Sequence, residues 1–100
     1  MKKFELTGES KIFLGHKLFR IRALISFGDV QEGDVGGYIE NEKNLSQDGN
    51  AWVYGNAKVY GNAKVCGNAK VFGNAQVYAH ASVAGNAKLF GNAKVFGGAG

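Results

Sequence analysis

Proline is absent from this chain of 100 residues, and cysteine, methionine and tryptophan each occur once. Without proline there is no rigid polyproline spacer, and the 16 glycines follow no every-third-residue rule, so the chain is not collagen-like. A lone Cys66 cannot close an internal disulfide, which excludes a small stapled fold and points to a reducing compartment. Histidine is limited to His16 and His80. No run approaches the ~18 uncharged apolar residues of a membrane-spanning helix, so no membrane partner is expected. Lys2 and Lys3 have no apolar run behind them, so no secretory leader is expected. Acid is missing from the second half. Residues 49–100 carry Lys58, Lys64, Lys70, Lys88 and Lys94 with no Asp or Glu, whereas residues 1–48 hold all eight acids and seven Lys or Arg. The formal net charge of +4 therefore divides into −1 and +5. A positive half of this kind attracts anionic partners and argues against a DNA mimic. There is no Gly-Lys-Ser/Thr after a glycine-rich run and no Gly-x-Ser-x-Gly elbow.

What the sequence does contain is a repeat. From Gly49 it reads GNAWVY, GNAKVY, GNAKVC, GNAKVF, GNAQVY, AHASVA, GNAKLF, GNAKVF, which is eight hexads ending at Phe96. Each hexad alternates small, polar and apolar, the signature of a very short strand with Ala and Val on one face. Gly-Asn then turns the chain through a corner, since both residue types tolerate positive φ. A strand of this length cannot stand alone. It must stack on a neighbour, which is the logic of a solenoid.

In these hexads the chain resembles the hexapeptide-repeat proteins, and its aliphatic-to-small spacing (Val59 to Ala63, Val65 to Ala69, Val71 to Ala75) matches their pattern. The resemblance implies an all-β fold, a left-handed parallel β-helix or triangular β-solenoid of about three to four coils, with three hexads per coil. The sequence carries its own check on such a coil. If every third hexad stacks at about 4.8 Å, one corner collects Tyr54, Phe72 and Phe90, and a second collects Tyr60, Tyr78 and Phe96. The third collects Asp48, Cys66 and Ala84, with no aromatic ring. The outward positions sort into face one (Trp52, Lys70, Lys88), face two (Lys58, Gln76, Lys94) and face three (Ser46, Lys64, Ser82).

Four segments are expected within one domain: an N-terminal β capping segment at 1–30, an irregular first coil at 31–48, the hexapeptide-repeat helix at 49–96 and a tail at 97–100. In the first segment, Phe4 and Leu6, Ile12 and Leu14, and then Leu18 to Ile25 suggest two or three strands with a turn near Gly15-His16. A solenoid end exposes unpaired strand edges, and these strands are expected to cover one end as a hairpin. At the other end Ala93, Val95 and Phe96 sit beside an open edge, so a homodimer through the C-terminal coil is expected.

Three kinds of chemistry bear on the residues present. The carbonic-anhydrase branch of the resembling proteins needs three histidines around zinc. Here only His16, His80 and Cys66 are available, and their spacing matches no metal motif, so neither metal nor cofactor is expected. The acyltransferase branch uses a histidine at a groove between subunits. His80 is the one histidine of the repeats, with no acid in 49–100 to orient it. Cys66 has no neighbouring acid or His in sequence and is expected to pack inertly at its corner. No catalytic residue is therefore assigned, and the chain is expected not to be an enzyme.

Two binding surfaces remain. The lysine rows (Lys58, Lys64, Lys70, Lys88, Lys94), together with Trp52, Tyr54, Phe72 and Phe90, are candidate contacts for a partner or for nucleic acid. The strip Cys66, Ala79, His80, Ser82 and Ala84 breaks the pattern by losing charge and bulk, which a close protein contact favours, unless the N-terminal strands cover it. The whole sequence, from MKKFEL through GDVGGYIE to GNAKVYG, also resembles small bacterial and prophage proteins. That resemblance implies a cytoplasmic, phage-derived module docking on a host protein or ribonucleoprotein, in its most specific form an anti-CRISPR-type inhibitor. Acyl transfer through His80 and nucleic-acid binding through the lysine rows are the alternatives.

Overall fold

The structure is a computed structural model and describes residues 2–97. The repeat builds it. Eight two-residue strands follow one another: β4 (Trp52–Val53), β5 (Lys58–Val59), β6 (Lys64–Val65), β7 (Lys70–Val71), β8 (Gln76–Val77), β9 (Ser82–Val83), β10 (Lys88–Leu89) and β11 (Lys94–Val95). Among the described residues there is no α-helix, and these strands pair only with strands of the same face, in parallel. Trp52, Lys70 and Lys88 align on face one, Lys58, Gln76 and Lys94 on face two, and Lys64 and Ser82 on face three. The result is a hexapeptide-repeat β-solenoid of three faces and about three turns, as the sorting by threes requires. Backbone bonds connect successive turns, for example from the Asn50 N–H to the Gly67 carbonyl at 3.0 Å and from the Tyr54 N–H to the Val71 carbonyl at 2.7 Å.

The core is narrow because the inward positions are small. Ala51, Val53, Ala57, Val59, Ala69, Val71, Ala75 and Val77 are fully buried in one apolar cluster. Each buried valine contributes about 1.5–3 kcal/mol of transfer free energy. At the corners the residue at positive φ is the glycine, as at Gly67 (φ 68°) and Gly73 (φ 70°). The asparagine that follows needs no such conformation, and the same holds for His80. It is Ala79, at φ 61°, that takes the glycine's place. The left-handed position of that corner therefore belongs to Ala79 and not to the histidine.

Upstream, β1 (Phe4–Phe13) and β2 (His16–Ala23) form a hairpin turned by Leu14 (φ 50°) and Gly15 (φ 83°). Two consecutive residues at positive φ match the twist that two-residue hairpin turns require. β3 (Val35–Ile39) pairs antiparallel with β2 and parallel with β5, so the hairpin extends the sheet of face two and leaves face three uncovered. Gly36 and Gly37 let β3 sit close to the turn below. A Cβ on Gly36 would lie 2.5 Å from the Val53 carbonyl, and one on Gly37 2.6 Å from that of Ala57. A short 3-10 helix (Glu42–Asn44) completes the irregular coil. The buried Asn44 amide donates to the Ala63 carbonyl at 2.8 Å and to that of Gly61 at 3.2 Å, standing in for a missing strand.

At the first-coil end the core is closed by Phe4, Ile21, Ala23 and Val30, with Lys3 beneath them. The Lys3 ammonium donates to the Ala51 carbonyl at 2.8 Å and the Gly49 carbonyl at 3.3 Å, and lies 4.8 Å from the centre of the Phe27 ring. Burial pushes its pKa down to about 8, against a smaller opposing pull from Asp48. At the opposite end Leu89, Ala93 and Val95 are only half-buried.

Candidate functional site

Face one holds a cleft of about 350 Å3 lined by Asp29, Tyr54, Lys70, Phe72 and Lys88. Stacking sets two of its walls. Tyr54 meets Phe72 edge-on at 6.2 Å between ring centres, and Phe72 lies parallel to Phe90 at 5.7 Å. The lysines follow from register, because Lys70 and Lys88 are direct partners on β7 and β10. The fold thus brings Tyr54, Lys70, Phe72, Phe90 and Lys88 together as one surface.

Asp29 is the residue that sequence reasoning missed. It reaches the cleft from the loop after β2, accepting from the Tyr54 hydroxyl at 2.7 Å and from Lys70 Nζ at 3.2 Å. No local pattern marks it, since its two partners lie 25 and 41 positions away. The hydrogen bond from Tyr54, then that from Lys70, holds the Asp29 carboxyl below its usual value. Burial and Asp29 together push the Tyr54 phenol well up. Lys88 has no acid partner among the described residues.

Other expected contacts divide differently. Trp52 points outward from β4 but is not available to a partner. It is 1% exposed, packed edge-on against Phe27 at 5.3 Å and Phe4 at 6.4 Å. The first coil has no rung above it on face one, and the N-terminal segment fills that space instead. Lys58 is half-buried under the hairpin, its ammonium 4.8 Å from the Phe13 ring centre. The second ladder is continuous (Tyr60 to Tyr78 at 5.2 Å, Tyr78 to Phe96 at 5.2 Å), but Tyr60 is buried, and the exposed ring is Phe96. Lys64 and Lys94 are exposed on two further faces, so the lysines do not converge on one groove.

On the third corner Cys66 is half-buried and Ala84 exposed; Ser82 on face three, and Ala79 and His80 at the second corner that precedes it, are exposed too. Asn68 and Asn86 continue the third corner as a ladder at 3.4 Å. His80 has no hydrogen-bonded acid among the described residues, and its backbone N–H donates to the Gly97 carbonyl at 2.9 Å. His16, Cys66 and His80 are not brought together. The histidine that does meet an acid is His16. Its Nδ1 lies 3.0 Å from Glu40 Oε2, and its ring lies 4.8 Å from that of Tyr60. Burial would raise the Glu40 carboxyl, but the Gly61 N–H at 2.8 Å and His16 outweigh it and hold it low. Among the described residues no helix is long and apolar enough to cross a membrane.

No family model matches the chain. Over 62 residues it is 39% identical to the protein of Escherichia coli (strain K12) named uncharacterized acetyltransferase YdcK, a match that takes in 54% of this chain and 19% of that protein. The chain therefore spans less than a fifth of that relative's length. This similarity overturns the expectation that the chain is not an enzyme. A repeat sequence shared with a protein named as an acetyltransferase leaves no basis for excluding catalysis, and the exclusion is withdrawn.

Proposed function

We propose that this hexapeptide-repeat solenoid is a docking module whose face-one cleft receives an acidic group of a protein or nucleoprotein partner. The carrying observation is the unpartnered Lys88 standing one turn from Lys70, beside an aromatic wall that ends in Phe90, a ring 62% exposed. The one acid in the cleft lining, Asp29, is already bonded to Tyr54 and Lys70. An incoming carboxylate or phosphate would gain charge-assisted hydrogen bonds there, and the exposed ring supplies an apolar anchor. Soluble poly-glutamate is a direct probe. Calorimetry is expected to show binding that weakens as salt rises and is lost in the Lys70→Glu/Lys88→Glu double variant. Lys64→Glu, on another face, is expected to leave it intact. Equal loss in both variants would reduce the effect to net charge and remove face one as the site.

Acyl transfer is the second reading, favoured by the similarity to a protein named as an acetyltransferase. On this reading the cleft holds the anionic portion of an acyl donor, and His80 is the candidate base. Release of free thiol from acetyl coenzyme A in the presence of amine acceptors, abolished in His80→Ala, is the outcome that supports it. Turnover unchanged in that variant would shift the search to another residue.

A further inference from the structure

A second basic cluster lies where the hairpin folds over face two, and nothing in the docking surface uses it. Lys11 and Phe13 project from the same side of β1, and Lys11 pairs in register with Leu18 of β2. Leu18 packs with Tyr38 and Tyr60 in a small apolar cluster that Phe13 and Tyr78 border. Tyr38 and Lys58 are themselves partners on β3 and β5. The hairpin thus closes down on Lys58. The two lysines cross: Lys11 Nζ sits 4.4 Å from the Tyr38 ring centre, and Lys58 Nζ 4.8 Å from that of Phe13. They are near enough for each ammonium to oppose the other's charge, and burial followed by Lys11 lowers the pKa of Lys58.

The neighbouring acids are already committed. Glu9 Oε2 accepts from Arg20 Nε at 3.1 Å and is approached by the Tyr38 hydroxyl at 3.5 Å. Glu40 is held by His16 and the Gly61 N–H. Among the described residues no carboxylate bridges Lys11 and Lys58. Lys58 is half-buried and Lys11 exposed, each held over an aromatic ring, and water screens their like charges less there than it would in the open. An anion between them reverses the sign of that interaction.

We propose that Lys11 and Lys58 form a binding site for a phosphate-type oxyanion at the seam between the hairpin and face two. Each ammonium carries three donors, of which Lys58 gives one to the Asn56 carbonyl at 3.1 Å, and a tetrahedral oxyanion carries enough acceptors to take bonds from both at once. The aromatic rings hold the lysine stems in place before the anion arrives, so little side-chain freedom is lost on binding.

The test is a titration of the full chain with inorganic phosphate at low ionic strength, followed by amide and lysine-ammonium NMR. Saturable shifts at Lys11, Phe13, Tyr38 and Lys58 are expected. Lys11→Met and Lys58→Met should each weaken binding at least about tenfold, whereas Lys70→Met on face one should not change it. Without phosphate, Lys58→Met is expected to melt at or above the temperature of the parent chain, because the opposed charges are gone. Phosphate is then expected to raise the melting temperature of the parent alone. A glycerol phosphate arm separates sources: tighter binding than inorganic phosphate assigns the site to the phosphate of an organic molecule, and equal binding to the free ion. Shifts that do not saturate, or binding undiminished in both Met variants, would overturn the proposal. Because Lys70 and Lys88 are untouched, that failure leaves the docking surface standing.

Discussion

Ala79 occupies a backbone conformation that the other corners give to glycine, at φ 61°. An L-residue there carries about 1–2 kcal/mol of strain. Ala79→Gly is therefore expected to stabilise the chain by about 0.5–1 kcal/mol, less than the full strain because glycine loses more freedom on folding. Urea unfolding of the two chains measures it. Lys3 makes the opposite kind of residue-scale statement. Its folded pKa of about 8 lies below the ordinary 10.5, so between those values the unfolded chain binds more protons than the folded one. Stability from this group is complete above 10.5 and falls away as pH drops through about 8. The loss amounts to roughly 3 kcal/mol. Tyrosines also titrate in the upper part of that range, so the comparison to make is with Lys3→Met. That variant is expected to be the more stable at pH 7, and the gap should close as pH rises. Neither residue was legible beforehand. Ala79 was visible as a break in the pattern, but its φ was not. Lys3 carries no mark in the sequence, and only the packing of Phe27 and its bonds to the carbonyls of Ala51 and Gly49 make it a plug.

Corners and ladders belong to the scale of elements. Stacked glycines approach so closely that a Cβ on Gly67 would lie 2.9 Å from the Gly85 nitrogen, while one on Gly85 would meet nothing within 4 Å. Both have nearly the same φ, 68° and 64°. Gly85→Ala therefore tests conformational strain alone, and Gly67→Ala tests strain plus contact. The second is expected to cost about 1–3 kcal/mol more than the first by chemical denaturation. The same stacking explains what could be read in the hexads. When a side chain's position depends on its number modulo the repeat, two aromatic columns and three outward rows are determined before any coordinates exist. The hairpin follows no such rule. Its strands were expected from alternating Phe, Ile and Leu, but their landing on face two depends on Leu18 meeting Tyr38 and Tyr60, and on Gly36 and Gly37 admitting β3. Trp52 shows the cost of extending the rule past the last complete turn: its direction was right, and its exposure was decided by Phe4 and Phe27.

For the whole molecule the two ends are unlike. One is sealed by the hairpin, whose outer strand is irregular between Leu6 and Ser10 and bears Glu5, Glu9 and Lys11, features that discourage edge pairing. The other shows Leu89, Ala93 and Val95 half-buried and Phe96 63% exposed. Association of two copies through that end is our proposal for the assembly. Sedimentation velocity is expected to give a dimer for the parent chain and a monomer for Val95→Lys, and a monomer for both would dismiss it. The candidate surface was only partly legible in the sequence. Its lysine and aromatic members were found from the repeat, whereas Asp29, Glu40 and the crossing of Lys11 with Lys58 come from contacts between segments that share no period. The parallel pairing of residues eighteen apart, as in Lys70 with Lys88, has one more outcome. Length in this architecture comes in quanta. Excising 61–78 would rejoin Tyr60 to Ala79 with every remaining side chain on its original edge, whereas excising a single hexad would carry all that follows round by a third of the circumference and change the partner that each side chain meets across the cut.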